Sequence, residues 1–341
     1  MGAYSGEISV GVIGTGGMGT RHADTLSTTV SGARVGGLTD LDRSRAGKLA
    51  ARCGSDVAVF RDEQSLIQDD GIDAVVVTTP DDTHAGLVME CLRYRKPVFC
   101  EKPLATTVEE ARGIVEAEAG LGRKLVQVGF MRRYDPRHLD VKSAIDSGAI
   151  GRPVLLKGTH RNAAARPGTS SESILVNSAV HDLDAARWIV GQEIEEVYVQ
   201  GTNTPAASDD EVLDLQVIQL VLSGGCLANI EVYVNAGYGY DVDLEVVGDA
   251  GTIRVAPTDA PVLRKRRYAS YLVEGDWLER FPSAYVIEMQ RWIEGLHNER
   301  LTGPDAWDGY ISLLVAESCI SALHSGSREP FENPRRPDLY A

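Results

Sequence analysis

The strongest fold signal in the chain lies in residues 8–19, which read Ile8-Ser9-Val10-Gly11-Val12-Ile13-Gly14-Thr15-Gly16-Gly17-Met18-Gly19. The first six residues are mostly apolar and β-branched, which is typical of a buried strand in a parallel sheet. The last six match G-x-G-x-x-G, a loop whose glycines permit a tight turn, close approach of a pyrophosphate and close packing of helix on strand. A helix predicted over Thr20–Ser27 would present its N-terminal N–H groups to the phosphates.

An acidic residue supports the same interpretation. Asp40 ends a second predicted strand, Arg34–Thr39, about 20 residues after the glycine loop. A carboxylate at this position accepts hydrogen bonds from the adenosine ribose hydroxyls and repels the 2′-phosphate of NADP. We therefore predict NAD as the cofactor and expect NADP to be less favoured, although Arg43 and Arg45 lie close enough in sequence to weaken that discrimination.

Strands and helices continue to alternate through residue 128. This alternation predicts an α/β domain, 1–128, with a parallel Rossmann sheet and a ligand crevice at the carboxyl ends of its strands. Further strands are predicted at Val57–Phe60, Ala74–Pro80, Val98–Cys100 and Leu125–Val128, and helices at His84–Tyr94 and Val108–Gly120. The residues expected to contact the cofactor are Gly14, Thr15, Gly16, Gly17, Met18, Gly19, Asp40, Thr79, Pro80, His84, Glu101 and Lys102.

The charge and cysteine content restrict the partners of the protein. The 341 residues include 34 basic and 49 acidic residues, for a net charge of −15, which disfavours nucleic acid and anionic membranes as partners. The five cysteines are scattered without metal-ligand spacing, so we expect reduced thiols in a cytoplasmic protein and no metal site. The basic run Arg264–Arg267 is interpreted as a solvated strand edge or an oligomer contact rather than a nucleic-acid patch.

The second half of the chain has a different pattern. From Gly151 onward, alternating segments predict a large mixed or antiparallel sheet in a second α+β domain, 129–330. The predicted strands are Val154–His160, Glu196–Val199, Leu213–Leu222, Cys226–Asn235, Val242–Val247 and Thr252–Val255. The turn-rich segment 162–171 is predicted to be a loop that covers the substrate. Helices are expected at Ala284–Asn298 and Asp308–Gly326, the latter packing back on the first domain.

Several motifs together resemble those of the glucose–fructose oxidoreductase/inositol dehydrogenase/rhizopine catabolism (Gfo/Idh/MocA) family, and among its members they are most similar to the inositol 2-dehydrogenase branch. These motifs are the glycine loop, Glu101-Lys102-Pro103, Gly129–Pro136, His160-Arg161-Asn162, His181–Asp184 and Tyr238–Asp241. The resemblance implies a homotetramer formed through an open sheet face, for which Ile218, Leu220 and Val232 are possible contacts. It also implies a polyol pocket lined by Arg132, His160 and Tyr240.

Lys102, His181 and Asn177 are the predicted catalytic residues, and His181 and Asn177 are also expected to contact the substrate. A lysine at a strand end beside a nicotinamide site can hydrogen-bond a substrate oxygen and accept its proton, and the resemblance implies the same role. Asn177 lies four residues before His181, so a helix that spans both places them on one face. Inositol dehydrogenases usually carry an aspartate at the position of Asn177. An amide can hold a hydroxyl or a histidine tautomer, but it does not stabilise an imidazolium by charge.

Three functions agree with these residues. The leading one is NAD-dependent oxidation of a ring alcohol of an inositol-like cyclitol. The second is the same reaction on a pyranose sugar or an aminocyclitol. Asn177 favours this alternative, because inositol dehydrogenases usually carry an aspartate at its position. The third is a non-catalytic sensor that binds NAD and a sugar, against which the presence of both Lys102 and His181 argues.

Overall fold

The computed structural model describes residues 6–207, 209–255 and 261–341. The chain forms two compact units, each built from separate segments. The first unit comprises Met1–Tyr134, Ser283–Leu313 and Arg335–Ala341, and the second comprises Asp135–Pro282 and Leu314–Pro334. The first five residues of the predicted cofactor domain, 1–128, lie outside the described residues. The assignment of substrate binding and oligomerisation to 129–330 stays a prediction.

The first unit contains a parallel sheet of six strands in the order β3-β2-β1-β4-β5-β6. This is the strand order of the Rossmann fold, so the predicted fold class is confirmed. The strands are β1 (Ile8–Ile13), β2 (Ala33–Thr39), β3 (Ala58–Val59), β4 (Ala74–Val77), β5 (Val98–Glu101) and β6 (Val126–Gly129). The helices among them are α1 (Gly17–Thr28), α2 (Arg43–Cys53), α3 (Glu63–Gln68), α4 (His84–Arg93) and α5 (Val108–Leu121).

The core of this unit explains why the sheet is so apolar. Every residue of β1 and β4 is buried because helices cover both faces of a doubly wound sheet. A late helix, α10 (Pro282–His297), adds Met289, Trp292 and Ile293 to the same cluster of buried side chains. The sequence predicted that helix but gave no indication that it would pack against strands more than 200 residues earlier in the chain.

The second unit contains a mixed sheet in the order β12-β11-β7-β10-β9-β8-β15, in which β7 and β10 run parallel and the other pairs run antiparallel. Its strands are β7 (Pro153–Arg161), β8 (Ile194–Thr202), β9 (Leu215–Leu222), β10 (Leu227–Tyr233), β11 (Asp241–Gly248), β12 (Thr252–Arg254) and β15 (Glu329–Pro330). The predicted mixed sheet is therefore confirmed. A separate hairpin consists of β13 (Leu263–Lys265) and β14 (Tyr268–Ser270).

One expectation about this sheet is wrong. Ile218, Leu220 and Val232 were possible contacts on the open face, but all three are buried, with at most 1% of their surface exposed. Their alternate neighbours Leu215, Val217 and Val221 are half-buried and form the other face. Strict alternation in a strand does not reveal which of its two faces a helix layer covers.

Among the described residues, the second unit contains four α-helices of its own and part of another, α11 (Ala306–Ser325), which also has residues in the first unit. The four are α6 (Pro136–Asp146), α7 (Ser171–Ile174), α8 (Val180–Val190) and α9 (Trp277–Arg280). Gly191 ends α8 in a left-handed conformation, which glycine adopts without a Cβ penalty. In the part of the chain that the structure describes, none of the helices has both the length and the apolar character needed to span a bilayer.

Candidate active site

The glycine loop joins β1 to α1 and has the geometry of a phosphate cradle. Gly14 adopts a φ of +87°, and a Cβ there would lie 2.7 Å from the carbonyl oxygen of Thr78. A Cβ at Gly19 would collide with the carbonyl oxygen of Gly14. At Gly16 and Gly17, by contrast, a Cβ would meet nothing within 4 Å, and no side chain caps the N-terminus of α1. The helix therefore presents N–H groups beside open space, which fits the pyrophosphate of a dinucleotide.

Asp40 connects the end of β2 to this loop. Its Oδ2 accepts hydrogen bonds from the Thr15 amide at 2.6 Å and the Thr15 hydroxyl at 2.7 Å. Its Oδ1 accepts from Arg45 Nη2 at 2.7 Å and from the Asp42 amide at 2.8 Å. Burial by itself would raise the pKa of Asp40, but the hydrogen bonds from Arg45, Thr15 and Asp42 lower it from 3.8 to about 2. The group is thus a carboxylate at neutral pH, ready to accept hydrogen bonds from ribose hydroxyls.

Arg45 affects how that carboxylate is reached. Its side chain is 53% exposed while the side chain of Asp40 is only 4% exposed, so the guanidinium covers the acid from the solvent side. A ribose that hydrogen-bonds Asp40 would have to share the carboxylate with Arg45 or displace it. The sequence placed Arg45 near the acid but did not show that the two form an ion pair.

His84 connects the loops that follow β4 and β5. Its Nδ1 lies 2.7 Å from the Pro103 carbonyl oxygen and its Nε2 lies 3.0 Å from the Thr79 carbonyl oxygen. Because its ring is buried and both nitrogens face protein carbonyls, His84 holds these two loops together. The structure therefore brings together Thr79, Pro80, His84 and the Lys102-Pro103 turn, whose peptide bond is cis. Cofactor contacts by these residues stay a prediction.

Glu101 and Lys102 follow each other at the end of β5. The Glu101 carboxylate lies 2.8 Å from Nε2 of His22, a fully buried residue of α1 that the sequence analysis did not identify. Lys102 is half-buried in the turn that follows. The spacing of His22, three residues after the glycine loop, was the available signal, since it places the ring on the first turns of the helix that starts at the loop.

A second buried acid lies behind Glu101. Glu288 on α10 has no exposed surface, and neither of its carboxyl oxygens has a hydrogen-bond partner among the described residues. Its neighbours on the same helix face contact this region, because the Tyr285 ring lies 6.0 Å from that of His22 and the Trp292 ring 5.8 Å from that of Phe99. Burial, and then the charge of Glu101, raise the pKa of Glu288 well above its usual 4.5. Both effects favour the protonated form of Glu288 over the carboxylate.

The second unit holds a buried polar cluster around His160 of β7. His160 Nδ1 lies 2.8 Å from Oδ2 of Asp182, and its Nε2 lies 3.5 Å from the Tyr240 hydroxyl. All three side chains are buried. The structure thus brings together two predicted substrate residues, His160 and Tyr240, and adds Asp182, whose position directly after His181 was the only sequence signal for it.

His181 lies at the start of α8, where it is 8% exposed. The preceding residues Leu175–Ala179 form a π-helical turn that includes the exposed Asn177. Helical backbone therefore does include Asn177, but with a wider turn than the α-helix for which the shared face with His181 was inferred. Such π turns are rare in proteins as a whole, but many of those that do occur lie at functional sites.

The predicted residues are divided between the two units. The first unit holds the glycine loop, Asp40, Lys102 and the buried Arg132, and the second holds His160, Asn177, His181 and Tyr240. Among the described residues there is no group of three or more histidine, cysteine or acidic side chains arranged to hold a metal ion.

Comparisons with known proteins agree with this arrangement. Residues 8–130 match the family model GFO_IDH_MocA, described as an oxidoreductase family with an NAD-binding Rossmann fold, and residues 142–330 match the model of its C-terminal alpha/beta domain. The chain is 52% identical over 337 residues to an inositol 2-dehydrogenase of Rubrobacter xylanophilus, covering 98% of this chain and 96% of the relative.

Two further similarities extend over the same length. An inositol 2-dehydrogenase 1 of Saccharopolyspora erythraea is 41% identical, covering 98% of this chain and 99% of that one. The structure is also similar to the crystal structure of myo-inositol dehydrogenase from Lactobacillus casei in complex with NAD(H) and myo-inositol, with a TM-score of 0.94, 33% identity and coverage of 98% and 100%. The two family models together span most of the chain, and the relatives match it over nearly its whole length. The protein therefore belongs to the GFO_IDH_MocA family of NAD-binding oxidoreductases.

Proposed function

We propose that the protein oxidises a ring secondary alcohol of an inositol-like cyclitol to the corresponding ketone, with NAD as the hydride acceptor. The observation that carries this proposal is the 52% identity to an inositol 2-dehydrogenase over nearly the whole chain, together with a glycine loop and an ionised Asp40 that fit NAD. When bound, NAD supplies the nicotinamide ring that accepts the hydride. The chain itself must bind the polyol, orient the carbinol and take up the hydroxyl proton.

Lys102 is the residue we propose for the proton. Its neighbours hold the turn in place: Glu101 is fixed by His22, and the Pro103 carbonyl is held by His84. A primary amine on a rigid backbone can accept a hydrogen bond from the substrate hydroxyl and remove its proton as the carbonyl forms. His181, at the start of α8, is proposed as the second group in this transfer.

The remaining polar residues are proposed to bind the polyol hydroxyls. Asp182 holds Nδ1 of His160, which fixes the orientation of the ring and leaves Nε2 on the side of the Tyr240 hydroxyl. A buried histidine and tyrosine oriented in this way can discriminate between stereoisomers of a ring alcohol, because a misplaced hydroxyl leaves a buried polar group unpaired. Arg132 and Asn177 are proposed to bind further hydroxyls of the polyol.

Asn177 also supports a second substrate class, a pyranose sugar or an aminocyclitol. It is exposed on a π turn and is neutral, whereas an aspartate in that place would favour a protonated His181.

We expect Asn177→Asp to raise the pKa of His181 and so move the acidic limb of the pH profile of kcat/KM to higher pH. Asn177→Ala serves as the control, because it removes the amide without adding charge.

The assembly and location of the protein are further parts of the proposal. We propose a cytoplasmic homotetramer that associates through the open face of the second sheet. Half-buried Leu215, Val217 and Val221 on that face support this arrangement, since they alternate with the buried residues of β9 and remain available for a partner.

The test of the reaction is a panel of inositol isomers, hexoses and aminocyclitols assayed for NADH and NADPH formation. We expect NADH with at least one inositol, and the absence of NADH with every compound would refute the proposal. Lys102→Met should reduce kcat by at least about a hundredfold with little change in NAD affinity, whereas Lys48→Met on an exposed part of α2 should leave kcat unchanged. Unchanged turnover in Lys102→Met would remove this lysine from the mechanism.

A further inference from the structure

The hairpin formed by β13 and β14 stands apart from both sheets. Its two strands pair only with each other, with Lys265 opposite Tyr268. The two turn residues, Arg266 and Arg267, have φ angles of 49° and 71°, a left-handed conformation that favours Gly and Asn over arginine. An isolated two-stranded hairpin is at best marginally stable in water. Among the described residues its strands pair with no other strand, so a contact outside the two strands would stabilise it.

The surface of the hairpin is unusually apolar for an exposed segment. Five large apolar side chains that are exposed in the described chain lie in residues 262–272, which comprise the hairpin and its flanking residues. They are Val262, Leu263, Tyr268, Tyr271 and Leu272, with exposed fractions of 46%, 63%, 79%, 46% and 78%. Tyrosine, leucine and arginine together on a projecting segment are typical of the centre of a protein interface rather than of a solvated loop.

Charge indicates which partner fits this surface. The run Arg264–Arg267 places four cations side by side on the hairpin, while the chain as a whole carries a net charge of −15. A second copy of the chain thus offers an acidic surface to a basic, apolar arm. A polyanion would also attract the cations, but it would not bury Leu263, Tyr268 and Leu272.

The segment after the hairpin connects it to the predicted substrate cluster within the same unit. The Tyr240 amide donates a hydrogen bond to the Glu274 carbonyl oxygen at 2.7 Å. A Cβ at Gly239 would lie 2.8 Å from Cγ1 of Val273, so the backbone before Tyr240 packs closely on this segment. Farther along, the Arg166 guanidinium of the predicted covering loop lies 5.0 Å from the centre of the Trp277 ring. A movement of the hairpin therefore reaches both Tyr240 and the 162–171 loop.

We propose that the hairpin 263–270 is an arm that docks on a second copy of this chain, and that this docking holds Tyr240 and the 162–171 loop in place for substrate. The inference rests on the proposed assembly and substrate, and it adds a second contact to the open sheet face. In this arrangement the substrate cluster of each copy is fully ordered only when its own arm is bound by a neighbour.

The test compares the full-length protein with an arm variant, Leu263→Ser/Tyr268→Ser/Leu272→Ser, by sedimentation and light scattering across a dilution series. Leu41→Ser is the control, because Leu41 is 99% exposed and belongs to another part of the chain. We expect the arm variant to dissociate at concentrations at least about tenfold higher than the wild type, and Leu41→Ser to behave as wild type. Equal assembly of the arm variant and wild type, or a monomeric wild type, would overturn the proposal.

A second variant separates a docking defect from misfolding. Arg264→Glu/Arg267→Glu keeps the apolar side chains and should weaken assembly, with the effect reduced at high salt because the contact is partly electrostatic. Both variants should raise KM for the polyol severalfold and leave KM for NAD unchanged. If the variants alter only retention on a polyanion column and not the mass or KM, the arm binds a polyanion and the proposal fails. If the wild type formed no NADH with any compound, the proposed reaction would be refuted. The measurements of mass test the docking of the arm independently of that reaction.

Discussion

The replacement Asp135→Asn is expected to destabilise the protein, because Asp135 is the centre of a buried charged cluster in the second unit. Its two oxygens accept hydrogen bonds from Arg280 Nη1 and Nη2 at 3.1 and 3.2 Å, and its Oδ2 lies 2.5 Å from Nδ1 of His138. The side chains of Asp135 and Arg280 are 5% and 3% exposed, so solvent does not screen the pair. An asparagine keeps the shape but leaves the buried guanidinium without its counter-ion.

The magnitude follows from the pKa of Asp135. Burial alone would raise it, but the hydrogen bonds and charges of His138 and Arg280 lower it from 3.8 to about 2. That difference corresponds to roughly 2 to 3 kcal/mol in favour of the folded state with the carboxylate ionised. Removal of one partner of a buried ion pair typically costs about 3 to 5 kcal/mol. We therefore expect Asp135→Asn to lower the free energy of unfolding by about 3 kcal/mol at neutral pH.

The sign of the pH dependence also follows. Because the pKa of Asp135 is lower in the folded state, its contribution is fully present above about pH 4 and is lost as the pH falls through 2. The difference in stability between the wild type and Asp135→Asn should therefore shrink as the pH falls below about 4. Urea unfolding followed by tryptophan fluorescence, supported by calorimetry, measures this difference.

A matched control and a double variant complete the experiment. Glu196→Gln breaks an exposed ion pair with Arg328, whose side chains are 35% and 63% exposed, and should cost less than about 1 kcal/mol. Asp135→Asn combined with Arg280→Met should be less destabilised than the sum of the single variants, since the second change removes the unpaired charge. A loss below about 1 kcal/mol for Asp135→Asn, or strict additivity in the double variant, would refute the reasoning.

Two other variants test the buried acids of the first unit. The pKa of Glu288 is raised in the folded state, so the stability of the wild type falls as the pH rises above the usual 4.5. Glu288→Gln should therefore stabilise the protein more at neutral pH than at pH 4.5, and an equal difference in melting temperature at the two pH values would contradict this. Asp40→Asn should raise KM for NAD about tenfold to a hundredfold by removing charge-assisted hydrogen bonds, with a much smaller effect on KM for NADP. Asp42→Asn, which keeps the cap of α2, is the control, and equal effects on both cofactors would argue against a ribose contact by Asp40.

Local pattern was sufficient for much of the fold. The strand before the glycine loop, the stop of α8 at Gly191 and the sequence of alternating strands and helices all depend on residues close together in the chain, and the structure contains each of them. The glycine loop is also recognisable from its own residues, although the space at Gly14 is limited by Thr78, 64 residues later in the chain.

The partners of the polar residues could not be predicted in the same way. His22 with Glu101, Asp182 with His160, and Arg280 with Asp135 are each separated by between 22 and 145 residues, and no periodicity relates them. The side of β9 that faces solvent was also undetermined, since Ile218 and Val217 fit either face equally well. Only the packing of helices on the sheet decides which of them is buried.

The sequence by itself thus determined the dinucleotide fold, the preferred cofactor and the family, because these depend on short motifs whose backbone geometry is set locally. Tertiary structure alone decided that burial and Glu101 raise the pKa of Glu288, that Arg45 covers Asp40 and that the 263–270 hairpin stands exposed. The physical reason is that charge state and exposure depend on everything within a few ångströms of a group, and most of those neighbours come from distant parts of the chain.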